Sequence, residues 1–167
     1  MSNFEKRFFN MVSTLEDRIQ KAVDYFMQGY GCAQSVAAAF ADLYGFTEQQ
    51  ALKVGAGFGG GVGRMRMMCG AVSGMVILAG LDSGQTDGSN RQGKADCYKL
   101  TQDLVEAFRA ENGSVICADL LGLKGPVPTG HFMPAERNAE YYKARPCVAK
   151  VESAARIFAN YLENKDE

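Results

Sequence analysis

The chain has 167 residues, 47% of them hydrophobic, which is enough apolar mass for one substantial core and argues against disorder. Its 18 Lys and Arg stand against 19 Asp and Glu, and a formal charge of −1 offers no basic excess for a phosphate backbone, so nucleic acid is not an expected partner. The opening segment MSNFEKRFFNMVSTLEDRI puts charge into every turn, and no run reaches about 18 apolar residues, so the expectation is a soluble, cytoplasmic protein without direct membrane insertion.

Apolar residues at Phe4, Phe8, Phe9, Met11, Val12, Leu15, Ile19, Ala22, Val23, Phe26 and Met27 recur at three- and four-residue steps, predicting a long helix that stops at Gly29-Tyr30-Gly31. An Ala-rich helix follows from Cys32 to Tyr44, ended by Gly45. Thr47 with Gln50 three residues on forms a capping box for a short third helix. Gly55 to Gly63 interrupts the pattern. Met65 to Leu81 then reads as a buried, Gly- and Ala-containing central helix.

Asp82 to Gly93 is a polar loop, and Lys94 to Glu111 an amphipathic helix closed by Asn112-Gly113. Ser114 is positioned to cap a short helix through Leu121. Gly122 to Pro134 carries three of the four prolines and reads as loop, before a last helix from Pro146 to about Leu162. Strand patterns, repeats and linkers are lacking, so residues 1–167 are expected to form one all-α domain.

Cysteines at 32, 69, 97, 117 and 147 are too few for a secreted disulfide scaffold, and no CxxC pair occurs. Cys32, Cys69, Cys117 and Cys147 each fall near a predicted helix start, whereas Cys97 lies inside a helix. Unpaired N–H groups and the positive end of the helix dipole stabilise a thiolate, the form that attacks disulfides or binds metal. That separates four candidate reactive cysteines from one packing residue. Cys69, near the Gly-rich break, is the expected nucleophile.

Gly55-Ala56-Gly57-Phe58-Gly59-Gly60 satisfies GxGxxG by letter, but a helix rather than a strand precedes it, which favours a tight turn over dinucleotide binding. Gly59, Gly60 and Gly61 with Arg64 are candidates for a nest of N–H groups around an anion or a cluster's sulfurs, with Arg66 adding charge near Cys69. Gly70 and Gly74 share a helix face that another backbone can approach closely. His131 sits in the Pro-rich loop as an exposed bystander. No P-loop, HExxH or EF-hand occurs.

Gly31-Cys32-Ala33-Gln34, Gly57 to Arg64, Cys69 to Gly74, Asn112-Gly113-Ser114 with Cys117, and Cys147 together resemble the C_GCAxxG_C_C family, described as redox-active, over residues 20 to 160 or so. The resemblance implies that Cys32, Cys69, Cys117 and Cys147 are the family's four characteristic cysteines. It also implies, by analogy, electron transfer or metal handling, and a link to transport. No CxxCH motif is present, so haem is not implied. The expectation is a four-cysteine centre for thiol–disulfide or electron-transfer chemistry, an oxidoreductase with a redox partner. The alternative is a non-catalytic iron–sulfur or zinc module whose metal ligands are Cys32, Cys69, Cys117 and Cys147. A helical interaction domain whose cysteines merely pack is the third reading. An apolar helical surface also suggests a homodimer.

Overall fold

The computed structural model describes residues 1–127 and 130–165, and of residues 7–13 the backbone alone. Among them the regular elements are all helical: α1 (Asn3–Met27), α2 (Cys32–Phe40), a 3-10 turn (Ala41–Tyr44), α3 (Glu48–Ala56), α4 (Gly70–Ser83), α5 (Arg91–Asn112), α6 (Cys117–Leu120), α7 (Ala139–Ala144) and α8 (Cys147–Asn164). Sheet pairing among these residues is limited to one isolated antiparallel bridge between Met68 and Ile116. The all-α expectation holds.

Helix ends follow their local chemistry. Ser2 and Glu5 close a capping box at the start of α1, and Thr47 and Gln50 close the expected one on α3. Gly113, at φ 83°, ends α5 in the left-handed conformation that only glycine adopts cheaply. On α1 the stripe Leu15, Ile19, Ala22 and Phe26 is buried, whereas Phe4 is exposed; the expected positions Phe8, Phe9, Met11 and Val12 lie outside the described side chains.

The Ala-rich α2 is buried along almost its whole length and packs on α1, α3 and α4, so α2 and α4 together form the centre. Phe26, Phe40, Phe108, Phe158, Met75 and Leu78 fill the space around them, with Phe40 edge-on to Phe158 at 5.2 Å between ring centroids. Helix α8 crosses α1, α4 and α5 and closes the bundle.

Three boundaries depart from expectation. The central helix begins at Gly70 rather than Met65, because Val62, Arg64 and Arg66 have φ near +60° and turn the chain out of the right-handed path. The cap residue of α6 is Ile116, while the Ser114 hydroxyl accepts from Ile116 N–H and donates to Asp119. Helix α7 was not anticipated, although Asn138, whose side chain accepts from Tyr141 N–H, is a good cap signal.

At the far end of the bundle Asp82 ties α4 to two other elements. Its carboxylate is 3% exposed and accepts from Tyr44, Tyr161 and Lys165. Burial would raise this carboxyl, but the hydrogen bonds from Lys165, Tyr161 and Tyr44 outweigh it and hold it below the ordinary value of 3.8. A lowered native pKa stabilises above the unfolded value, and that contribution disappears as pH falls through the native one. Asp82→Asn is therefore expected to cost about 2 kcal/mol in urea unfolding at pH 7, with the gap from wild type narrowing below pH 4 or so. An unchanged midpoint at pH 7 would contradict this.

Candidate functional site

Cys32 is the first residue of α2, Cys69 caps α4, Cys117 begins α6 and Cys147 begins α8. All four line a single cavity of about 60 Å³. Each is a free thiol. Cys97, half-buried within α5, takes no part in this wall.

Backbone proximity assembles the group. A Cβ added at Gly74 would lie 2.8 Å from Val36 Cβ and 3.0 Å from the Ala33 carbonyl, and one at Gly70 would lie 3.0 Å from Cys32 Cβ. The missing side chains let α4 rest directly on α2, which sets Cys32 against the start of α4. Beside them Cys69 N–H donates to Val115 O at 2.7 Å and Cys117 N–H to Met67 O at 2.6 Å, joining the segments that carry Cys69 and Cys117. Gly61 completes the fit, since a Cβ there would lie 2.6 Å from Cys117 Cβ.

The thiols do not share one electrostatic environment. A hydrogen bond from Cys32 pushes Cys147 down to about 7; burial opposes this, while Arg145, Arg137 and Arg66 reinforce it. The same bond raises Cys32 well above the ordinary thiol value, helped by burial and by the negative charge of Cys147. Burial drives Cys69 up to about 11, although the N–H groups of Ala71 and Val72 face its sulfur and pull the other way without closing a cap hydrogen bond. Cys117 also rises through burial, partly offset by Arg66, whose guanidinium lies 3.8 Å from its sulfur. The expected low pKa of Cys69 is thus not found, because desolvation exceeds the pull of the helix start; the activated thiol is Cys147.

The Gly-rich loop takes up part of the N–H set that a nest would use, that of Arg64 included. Gly60, Gly61, Val62, Gly63 and Arg64 form a left-handed run with φ between 54° and 73°. The N–H groups of Val62, Gly63, Arg64, Arg66 and Met67 donate to the carbonyls of Phe58, Gly57, Gly59, Gly60 and Gly61, so these donors are occupied within the loop. Gly60 and Gly61 line the cavity; Gly59 does not, lying instead against Gly31. Arg64 points away and donates to the Met133 and His131 carbonyls. The cation that faces the thiols from this loop is Arg66. His131 is exposed, as expected.

Arg137, Arg145 and Tyr141 are the residues that sequence reasoning missed. Arg137 donates to the Phe26 and Tyr30 carbonyls at 3.0 and 3.1 Å, where a cation also favours the end of α1. Its guanidinium stacks on Phe26 at 4.3 Å and on Tyr141 at 4.7 Å, and Arg145 covers Tyr141 at 4.8 Å. Held this way, both arginines border the cavity beside Cys147. The run Arg145-Pro146-Cys147 was the available signal: a cation two residues before a thiol at a helix start.

Residues 30–161 match the family described as Putative redox-active protein (C_GCAxxG_C_C). The chain belongs to this family. Comparison with curated proteins and with solved structures finds no match. Among the described residues no three His, Cys, Asp or Glu side chains are placed to hold one metal ion, so the four thiols share a cavity without closing on a common centre. No described helix is long and apolar enough to cross a membrane.

Alkylation of Cys147 by iodoacetamide is expected to follow a titration midpoint near 7, ahead of Cys69 and Cys117, as read by peptide mass spectrometry across pH. Cys32→Ala removes the largest stabilising contact and moves that midpoint up towards 9.0; a midpoint that stays put would show that the arginines alone set it. Val62 is β-branched and left-handed, at a cost of about 1 kcal/mol or more. Val62→Gly should accordingly raise Tm by roughly 2–4 °C in calorimetry, whereas a fall would mean that the lost isopropyl contacts outweigh the strain.

Proposed function

We propose that this protein is a dithiol–disulfide oxidoreductase in which Cys147 attacks and Cys32 resolves. The shared place of these two thiols on the cavity wall, with their proton affinities moved in opposite directions, carries the reading. A pair with one thiol poised near neutral pH and its neighbour held protonated is the arrangement a two-step exchange needs.

In the first step Cys147 Sγ bonds to the electron-poor atom of an oxidised substrate, and the displaced group leaves with a proton. In the second, Cys32 loses its proton as its sulfur attacks Cys147 Sγ; the bond from Cys147 to the substrate breaks and its electron pair departs with the substrate. Two thiols become one disulfide, and the substrate gains two electrons. Arg145 and Arg137 hold Cys147 ionised, while Cys69 and Cys117 complete the wall as protonated thiols. A cytoplasmic setting, where external reductants restore thiols, suits the cycle, and a redox partner must close it.

A zinc or iron–sulfur centre would need three or four thiols converging on one point. Among the described residues no three such side chains are so placed.

Treating the reduced protein with one equivalent of diamide should produce a single intramolecular disulfide, mapped by digestion to Cys32–Cys147 and reversed by a small dithiol. Cys147→Ser and Cys32→Ser should each abolish it, and Cys97→Ser should leave it intact. A disulfide that maps to another pair, or thiols that react only in urea, would defeat the assignment.

A further inference from the structure

The cavity carries more positive charge than its thiols can use. Arg66, Arg137, Arg145 and Lys150 all line it, and no Asp or Glu does. None of these four cations is ion-paired among the described residues. Over the whole chain acids outnumber bases, 19 to 18, so this gathering is a local departure from the overall balance. One thiolate at Cys147 neutralises a single charge. Arg137 and Lys150 are also tied to neighbours, Lys150 through Asn112 at 2.9 Å. The Arg145 guanidinium makes no hydrogen bond among the described residues, and that of Arg66 reaches only the Cys117 sulfur, so both keep donors for a ligand.

Size narrows the choice. At roughly 10–15 Å³ per water position, a cavity of about 60 Å³ offers about four to six such positions, enough for a tetrahedral oxyanion and too few for a peptide or a dinucleotide. Guanidinium groups suit that ligand, because their planar forks match paired oxygens.

We propose that the cavity binds a small tetrahedral oxyanion between Arg66 and Arg145, and that its central atom is the electron acceptor of the dithiol. This assignment rests on the dithiol reading. For a singly protonated oxyanion HXO4, the Cys147 thiolate bonds to X, and the X–OH oxygen leaves as water by taking up the Cys32 proton. Cys32 Sγ then attacks Cys147 Sγ, and the electrons of the S–X bond stay on X. The products are XO3, water and the Cys32–Cys147 disulfide.

Two probes test the proposal on the reduced full-length chain. Sulfate, which thiols do not reduce, should slow iodoacetamide alkylation of Cys147 saturably and several-fold at constant ionic strength, with Cys97 unaffected. Arg145→Gln and Arg66→Gln should each raise the half-protecting sulfate concentration roughly tenfold, with folding checked by circular dichroism. Arsenate, which is reducible, should yield one arsenite for each two thiols lost. Equal sulfate effects at Cys147 and Cys97, or none, would overturn the site in the wild-type chain, whatever the variants do. Sulfate protection without arsenite would overturn the assignment of the oxyanion as acceptor. In either case a normal diamide-induced Cys32–Cys147 disulfide leaves the dithiol reading standing, whereas its loss alongside intact sulfate protection would remove that reading and keep the anion site.

Discussion

The contact on which the site depends is the close approach of α4 to α2 across Gly70 and Gly74. Packed interiors tolerate little change in volume, and a methyl group at Gly74 would meet both Val36 and the Ala33 carbonyl at distances that force the helices apart. Such a separation would reach Cys32 directly, since its Cβ faces Gly70. The glycines that weaken α4 as an isolated helix are therefore the residues that let two helix starts share one cavity. The Ala-rich sequence of α2 meets the same requirement from the other side.

Proximity alone would give four unreactive thiols. A helix start offers partial positive charge, but a buried thiolate loses its hydration, and at Cys69 and Cys117 the second effect dominates. Cys147 differs because it gains a donor in Cys32 and three guanidinium groups nearby. Arginine suits this position better than lysine: it stays ionised when partly buried, and its flat face can be held against aromatic rings while its charge is directed elsewhere. Tyr141, between Arg137 and Arg145, gives both cations a surface to rest on.

Much of this was legible in the sequence, and the part that was not has a physical cause. Helices with a long apolar stripe or a capping box announce themselves, as α1, α3 and α5 do. The division of the cysteines into four at helix starts and one within a helix also follows from local pattern, because glycine, proline and cap residues mark those starts. The ranking among the four was not legible, since desolvation depends on what covers each sulfur after folding. Arg64 and Arg66 are alike by sequence; only the direction of the left-handed run decides that Arg66 meets Cys117 while Arg64 reaches the 131–133 segment. Arg137 and Arg145 flank a six-residue helix with too little apolar periodicity to be noticed.

The left-handed run shows how a side-chain charge reaches this cavity from the Gly-rich loop. Three non-glycine residues, Val62, Arg64 and Arg66, are held at positive φ, a conformation that persists only where its surroundings enforce it. Here the enforcement is a ladder of hydrogen bonds from Val62 through Met67 to the carbonyls behind them, and that ladder takes up the Val62, Gly63 and Arg64 N–H groups and the Gly59, Gly60 and Gly61 carbonyls. What the loop delivers is placement: Gly61 brings the backbone against Cys117 without a side chain in the way, and Arg66 leaves the coil facing that sulfur. Guanidinium groups on three separate segments then converge on one small volume. Fixed backbone dipoles would have tied recognition to a single loop, whereas this convergence makes the cavity's charge depend on the whole fold.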